Sequence, residues 1–388
     1  MRVAVFGGSF DPVHKEHIAL AKAAIKSLAL DELFVMPAFA PPHKKGKILL
    51  ADKDRFEMCR LAFADDKKIT VSDYEISQKG TSYTYLTCRY FRSLYPTAEI
   101  YWLVGTDMLR DFPTWKEPQD ILKNVTLAVC ARNENADWLQ SAQEDFEKRF
   151  GTRFAVIDYN GADVSSTQIR VLASSGADKD KLMAYLPEKV AAYVQENGLY
   201  EIAGAKEALA LEKEKRRAHS LRVAEMAAKR AAQLHWDEKK AIQAALFHDC
   251  AKNLTPDSPY LKDFTMEKSW GDVPCEVWHQ YAGAYVAENF FGVTDEEVLQ
   301  AIRYHTSGRP NMGDIEKLIF LSDMLETERS YEGVDELRAL FWNGENLDAC
   351  LEEALYQTLL FLENKKSEIY PLTQSAYVFI RDCNKERR

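Results

Sequence analysis

Two groups of residues in this chain have types and spacings that can do chemistry. The first is Gly7-Gly8-Ser9-Phe10-Asp11-Pro12-Val13-His14-Lys15-Glu16-His17. It follows the apolar run Val3-Ala4-Val5-Phe6 and opens an amphipathic run from Ile18 to Leu28, which reads as strand, glycine turn and helix start. Glycines let a backbone approach a phosphate closely, and a helix N-terminus favours negative charge. His14 and His17 are three apart and share one face of that helix start, so two imidazoles address one anion site. Far along the chain, Val164-Ser165-Ser166-Thr167-Gln168-Ile169-Arg170 precedes another apolar helical stretch. Its hydroxyls, free amides and first-turn arginine make a second anion cradle. Together the two segments point to phosphate chemistry.

The second group is His219, His248-Asp249, His279, His305 and Asp323. Four of the five histidines beyond residue 207 fall in this series. His248 ends the apolar run Ala244-Ala245-Leu246-Phe247 and is expected to be buried. A lone buried histidine is ordinarily a satisfied core residue. An adjacent carboxylate and three more histidines on separate helical stretches make metal ligation the better account. Neutral imidazoles and carboxylates suit Fe, Mn, Zn or Co. The ligands outnumber what one catalytic metal needs, and two metals about 3.5–4 Å apart, bridged by Asp249, use them all.

These residues need elements to hold them. Val3–Phe6, Leu33–Met36, Ile69–Val71, Ile100–Val104, Val125–Cys130 and Phe154–Ile157 read as strands separated by helical runs. That alternation calls for an α/β, Rossmann-like domain, a mostly parallel sheet with helices on both faces. Ligands of such sheets bind beyond the carboxyl ends of the strands, where both anion segments fall. Strand patterns then vanish. Glu207–His235, Asp237–Lys252, Pro274–Phe290, Asp295–His305, Asp314–Glu326 and Leu347–Ser367 all read as helices, an all-α second domain. The expected domains are residues 1–202 and 207–388, with Ile202-Ala203-Gly204-Ala205 as a linker short enough to fix their arrangement. The basic patches at 213–217 and 385–388 read as solvated faces or tails.

A length of 388 residues accommodates two domains, and 46% hydrophobic residues is ordinary for a globular protein. A net charge of −10 argues against a broad nucleic-acid-binding surface, so any phosphate site is a local concentration of cations and amides. Seven cysteines without a CxxC pair read as free thiols in a reducing compartment. With no signal peptide and no apolar run long enough to span a membrane, the expected location is the cytoplasm. Oligomeric state is left open.

The paired anion segments resemble the HxGH and SSTxIR signatures of the nucleotidylyltransferase superfamily. Within it, residues 1–200 are similar to bacterial nicotinate-nucleotide adenylyltransferases, through Pro41-Pro42-His43-Lys44, Ser82-Tyr83-Thr84, and Gly105-Thr106-Asp107 followed by Trp115. Two positions depart from that family: Ser9 stands where threonine is usual, and Glu16 where glycine is usual. Ser9 keeps the hydroxyl, whereas Glu16 brings a Cβ and a carboxylate near the phosphate site. The second half resembles the HD-domain metal-dependent phosphohydrolases, and among them the bacterial symmetrical diadenosine tetraphosphate hydrolases. The matching segments are Arg216-Arg217-Ala218-His219-Ser220, His248-Asp249-Cys250-Ala251-Lys252, His279-Gln280, His305-Thr306 and Ser322-Asp323-Met324-Leu325-Glu326.

The first resemblance implies transfer of AMP from ATP to nicotinate mononucleotide, with Mg2+ bridging the ATP tail. His14, His17 and Lys44 would neutralise phosphates; Ser166, Thr167 and Arg170 would hold the tail. Asp107 would bind a ribose hydroxyl, and amides near Tyr83-Thr84 the nicotinate carboxylate. Trp115 would either stack on the pyridine ring or pack into the core. Gly7, Gly8, Ser9, Phe10, Gly105 and Arg132 complete the implied substrate-binding set. The second resemblance implies symmetrical cleavage of diadenosine tetraphosphate to two ADP at a two-metal site of His219, His248, Asp249, His279, His305 and Asp323. It implies iron, with manganese as a substitute. The alternatives are a sensor domain or a hydrolase of another nucleotide, an alarmone or nucleoside monophosphate, joined to a different adenylyl- or cytidylyltransferase. Lys252 would hold phosphates that do not react. Arg309 would either do the same or be plain surface charge.

Overall fold

Strands form at the six apolar runs: β1 (Arg2–Gly8), β2 (Glu32–Pro37), β3 (Ile69–Val71), β4 (Glu99–Gly105), β5 (Thr126–Cys130) and β6 (Ala155–Ile157). The computed structural model describes residues 1–41, 49–131 and 136–387. The strands make one sheet in the order β3-β2-β1-β4-β5-β6, every neighbour parallel. Val5 of β1 lies opposite Phe34 of β2 on one side and Trp102 of β4 on the other. Val3, Ala4 and Val5 are fully buried, as parallel strands covered on both faces require. Strand order reverses between β1 and β4, so their carboxyl ends, Gly8 and Gly105, frame the crevice where such sheets take ligands.

The chain divides by its internal contacts into two units. One comprises Met1–Ile169 with Asp178–Gly198, the other Arg170–Ala177 with Leu199–Arg388. The second unit is helical throughout its described residues beyond 198. Its core joins small residues such as Ala224, Ala227 and Ala245, which let helices approach closely, to Phe247, Phe320 and Phe341. Ile202 and Ala205, read as linker, are buried in this core.

Two helices differ from the sequence reading. Glu207–His235 is two helices, Ala205–Ala210 and Glu214–Leu234. The break lets Glu212 turn inward, where its buried carboxylate accepts Ser220 Oγ at 2.9 Å. Asp237–Lys252 is helical only over Glu238–Phe247, with Asp237 capping Lys239 and Lys240 amides. The chain leaves the helix at His248, which turns both His248 and Asp249 into the core. No helix among the described residues is long and apolar enough to cross a membrane.

Candidate functional site

In the sheet unit, the Gly7-Gly8 turn carries the chain from β1 to the Lys15–Ser27 helix. A Cβ at Gly7 would lie 2.9 Å from the Trp102 ring, so that ring excludes any side chain there. Phe10 adopts a φ of 46°, which folds its ring back over Gly8. Fully buried Arg55 fixes the turn from behind, donating to Ser9 O at 2.8 Å while paired with Asp52 at 2.6 Å. Nothing in the sequence near the turn announces Arg55, which arrives from another helix. His14 and His17 stack with ring centroids 3.7 Å apart. The His14 backbone N–H donates to His17 Nδ1 at 3.1 Å, which leaves the His17 proton on Nε2 as a donor.

The second cradle adjoins the first. Ser166 Oγ donates to Pro12 O at 3.0 Å, and Ser165 Oγ accepts the Gln168 amide at 3.2 Å, capping the Ser166–Ser174 helix. Ser166 and Thr167 are half-buried there. Arg170, in the same segment, meets a carboxylate. It is grouped with the helical unit, buried, and its Nε donates to Glu238 Oε1 at 2.7 Å. Gly105 ends β4 and Asp107 is exposed on the first turn of Thr106–Asp111; a Cβ at 105 would collide with the Asp107 carboxylate. Tyr83 precedes the Thr84–Leu94 helix beneath Lys116 Nζ, 4.3 Å from its ring centroid. Trp115 is half-buried against Phe112 at 5.4 Å. Lys44 and Arg132 lie outside the described residues, as do Pro42 and His43.

In the helical unit all six implied ligands converge. His219 comes from Glu214–Leu234, His279 from Cys275–Phe291 and Asp323 from Asp314–Leu325. His248 and His305 end the helices Glu238–Phe247 and Glu296–Tyr304. Asp249 sits at the centre: Oδ1 is 3.3 Å from His279 Nε2 and 3.6 Å from His305 Nε2, and Oδ2 is 3.4 Å from His248 Nε2. His219 Nε2 is 2.9 Å from Asp323 Oδ1. Three trios, His219–His248–Asp249, His248–His305–Asp323 and Asp249–His279–His305, each bring their ligand atoms within 4.8 Å of one another.

The tautomers suit cations. Nδ1 of His248 lies 2.6 Å from Ala245 O, and Nδ1 of His305 lies 2.8 Å from Ile302 O. His219 Nδ1 faces Glu326 Oε1 at 3.2 Å. Each contact keeps the proton on Nδ1 and turns a bare Nε2 toward the cluster. Accordingly, buried Nε2 of His219 and of His248 makes no hydrogen bond of good geometry. Two further Nε2 atoms, of His279 and His305, face each other at 3.0 Å. Bare nitrogens crowded around two carboxylates are what divalent metals satisfy, so the residues fit such ions.

The electrostatics divide the imidazoles. Burial opposes charge on His248, but the Asp249 carboxylate beside it prevails and lifts it to about 9, so a cation must displace the Nε2 proton to use that nitrogen. Burial lowers His279 to about 4, keeping it a neutral ligand at physiological pH. Burial works against ionising Asp249, yet the surrounding imidazoles hold it well below the usual carboxylate range. Burial also pulls Lys252 down, its Nζ lying 3.1 Å from the His279 ring nitrogens.

Several participants were not legible in the sequence. Arg216, read as part of a solvated basic patch, instead binds Asp249 Oδ2 at 2.7 Å, and Arg329 binds Asp323 Oδ1 at 2.7 Å. Both neutralise the cluster carboxylates. Buried Gln280 accepts the Thr306 and Ser307 amides, each at 3.1 Å, tying the His279 helix to the His305 turn. Arg309 chelates Glu316 at 2.6 and 2.7 Å.

Residues 5–172 match the cytidylyltransferase-like family model, and residues 216–334 match the HD domain model. A Mycoplasma genitalium protein named probable nicotinate-nucleotide adenylyltransferase/Ap4A hydrolase is 31% identical over 332 residues, 85% of this chain and 89% of its own. The chain belongs to that two-domain family. The sheet unit alone has relatives too. A probable nicotinate-nucleotide adenylyltransferase of Endomicrobium trichonymphae is 38% identical over 206 residues, 52% of this chain and 99% of its own. A crystal structure of a predicted HD superfamily hydrolase involved in NAD metabolism, from Clostridium acetobutylicum, is 32% identical, covering 46% of this chain and 95% of its own with a TM-score of 0.40. The family thus carries, in one chain, the α/β and all-α HD architectures read from the sequence.

Proposed function

We propose that the chain is a bifunctional enzyme. Its sheet unit transfers AMP from ATP to nicotinate mononucleotide, giving nicotinate adenine dinucleotide and pyrophosphate. Its helical unit hydrolyses diadenosine tetraphosphate (Ap4A) with one water to two ADP. The observation that carries this reading is the similarity, along 85% of the chain, to a relative named for both activities.

In the first reaction the 5′-phosphate of the mononucleotide attacks the α-phosphate of ATP in line, and pyrophosphate leaves. The chain's task is to hold two anions against their repulsion and stabilise charge on the transferring group. The His14/His17 pair and the Gly7–Phe10 amides face that charge, and Lys44 joins them. Ser166 and Thr167 hold the ATP tail, to which Mg2+ adds charge neutralisation. Asp107 binds ribose, the Tyr83-Thr84 amides bind the nicotinate carboxylate, and Trp115 flanks the pyridine ring. Arg170 is left out of this set, because Glu238 holds it.

In the second reaction His219, His248, Asp249, His279, His305 and Asp323 hold two divalent metals, iron or manganese. When bound, the metals supply Lewis acidity to water and phosphate. Lys252, Arg216 and Arg329 are the cations at the rim for phosphates that do not react. The test is one protein in two assays, ATP with nicotinate mononucleotide, and Ap4A with iron or manganese, with products separated by ion exchange. Dinucleotide and pyrophosphate in the first, and ADP alone in the second, are expected. AMP plus ATP from Ap4A would overturn the symmetrical register, and no dinucleotide would overturn the transferase.

A further inference from the structure

Glu16, at the position where the family usually has glycine, does not turn its carboxylate onto the phosphate turn. It accepts a short hydrogen bond from the Tyr159 hydroxyl. Tyr159 lies in the connection from β6 to the Ser166–Ser174 helix, the connection that ends in the Ser165-Ser166-Thr167 cradle. The two side chains close over Gly161, where a Cβ would fall within 3.0 Å of the Glu16 carboxylate, the Tyr159 hydroxyl and the Tyr159 ring. All these residues belong to the sheet unit. Glu16 also sits in the first turn of its helix, where a carboxylate is favoured by the helix dipole.

We propose that Glu16 is a positioning residue of the transferase. Acting through Tyr159, it fixes the β6-to-helix connection so that Ser166 and Thr167 face the His14/His17 end of the first helix. Two ties then join the cradles, Glu16 to Tyr159 and Ser166 Oγ to Pro12 O at 3.0 Å. A glycine at 16 supplies neither an acceptor for Tyr159 nor a wall beside Gly161. Gly161 is the complementary requirement, since any side chain there forces the pair apart.

The inference rests on the transferase reading, and the test separates the two. Steady-state kinetics with ATP and nicotinate mononucleotide are run on the full chain and on Glu16→Gly, Tyr159→Phe, Gly161→Ala and Glu16→Gln. The expected result is a KM for ATP raised on the order of tenfold in the first three, the loss of one hydrogen bond to a charged group. The KM for nicotinate mononucleotide should stay within about twofold of the parent. Glu16→Gln keeps an acceptor for the hydroxyl and should keep the KM for ATP close to the parent's. A purely structural role would lower turnover without singling out ATP. An unchanged or lower KM for ATP in Glu16→Gly and Tyr159→Phe, with the parent active, overturns the positioning role alone. An inactive parent overturns the transferase reading itself.

Discussion

At the carboxyl ends of β1 and β4 the groups offered to a phosphate are mostly main-chain amides, hydroxyls and two stacked imidazoles, supplied by short stretches of chain. In the helical unit they are six side chains from five helices and the turns that end them, five of them buried and Asp323 half-buried, gathered around Asp249. The first site is made by the backbone path and could lose a side chain without disturbing the sheet. The second is made by packing, which turns imidazole nitrogens and carboxylates onto one another. Loss of a residue should therefore cost the first site rate and the second site both rate and ligand.

The largest contrast comes from Asp249→Ala. Because this carboxylate touches three of the four histidines, its removal should abolish bound metal, read by elemental analysis, and ADP release from Ap4A together. Transferase turnover should stay at the parent level. Metal retained with hydrolysis lost would move Asp249 from ligand to chemistry. The matching change in the other unit is His17→Ala. It removes the donor proposed to face developing phosphate charge, so transferase turnover should fall by about 10²–10³-fold. The hydrogen bond from the His14 amide goes with it, at a helix start outside the sheet, so thermal unfolding should be almost unmoved. Parent-level turnover would remove His17 from the mechanism.

Arg170 tests where the boundary between these two kinds of site falls. Read from Ser-Ser-Thr-Gln-Ile-Arg it belongs to the phosphate cradle; in the folded chain it is buried against Glu238. Arg170→Ala should then lose about 3–5 kcal/mol of stability, the cost of leaving a buried charge without its partner. The signal is a lowered melting temperature with the KM for ATP kept in the folded fraction. Full stability with a raised KM would return Arg170 to the cradle.

What could be read from sequence follows the same division. All six strands and both glycine and serine–threonine turns were legible because β propensity, hydrophobic runs and turn chemistry act over a few neighbours. The metal-type ligands were legible because His and Asp on apolar helix faces are rare without a task. Their supports were not. Arg55 reaches Ser9 across 46 residues, Arg170 reaches Glu238 across 68, and Glu326 reaches His219 across 107. Arg216 looked like one more charge in a basic run, and only the fold aims it at Asp249. The helix expected over Glu207–His235 broke at Glu212 because a buried contact with Ser220 outweighed local helical preference.

Glu326 carries the smallest of the expected effects and the sharpest view of how such supports work. Burial favours its neutral form, but Arg222, 2.6 Å away, and the Glu328 amide hold it ionised, near 2. An ionised carboxylate on His219 Nδ1 fixes the tautomer and makes Nε2 a better donor to a cation. Glu326→Gln keeps the shape and an acceptor for Nδ1 while removing the charge. Metal affinity, measured by competition with a chelator, should weaken by about 10–100-fold. The transferase rate should not change, since the altered residue touches only the helical cluster and its arginines. Unchanged affinity would mean that packing alone orients His219, and that the helical site depends on its six ligands as little on outlying charge as the phosphate turn does.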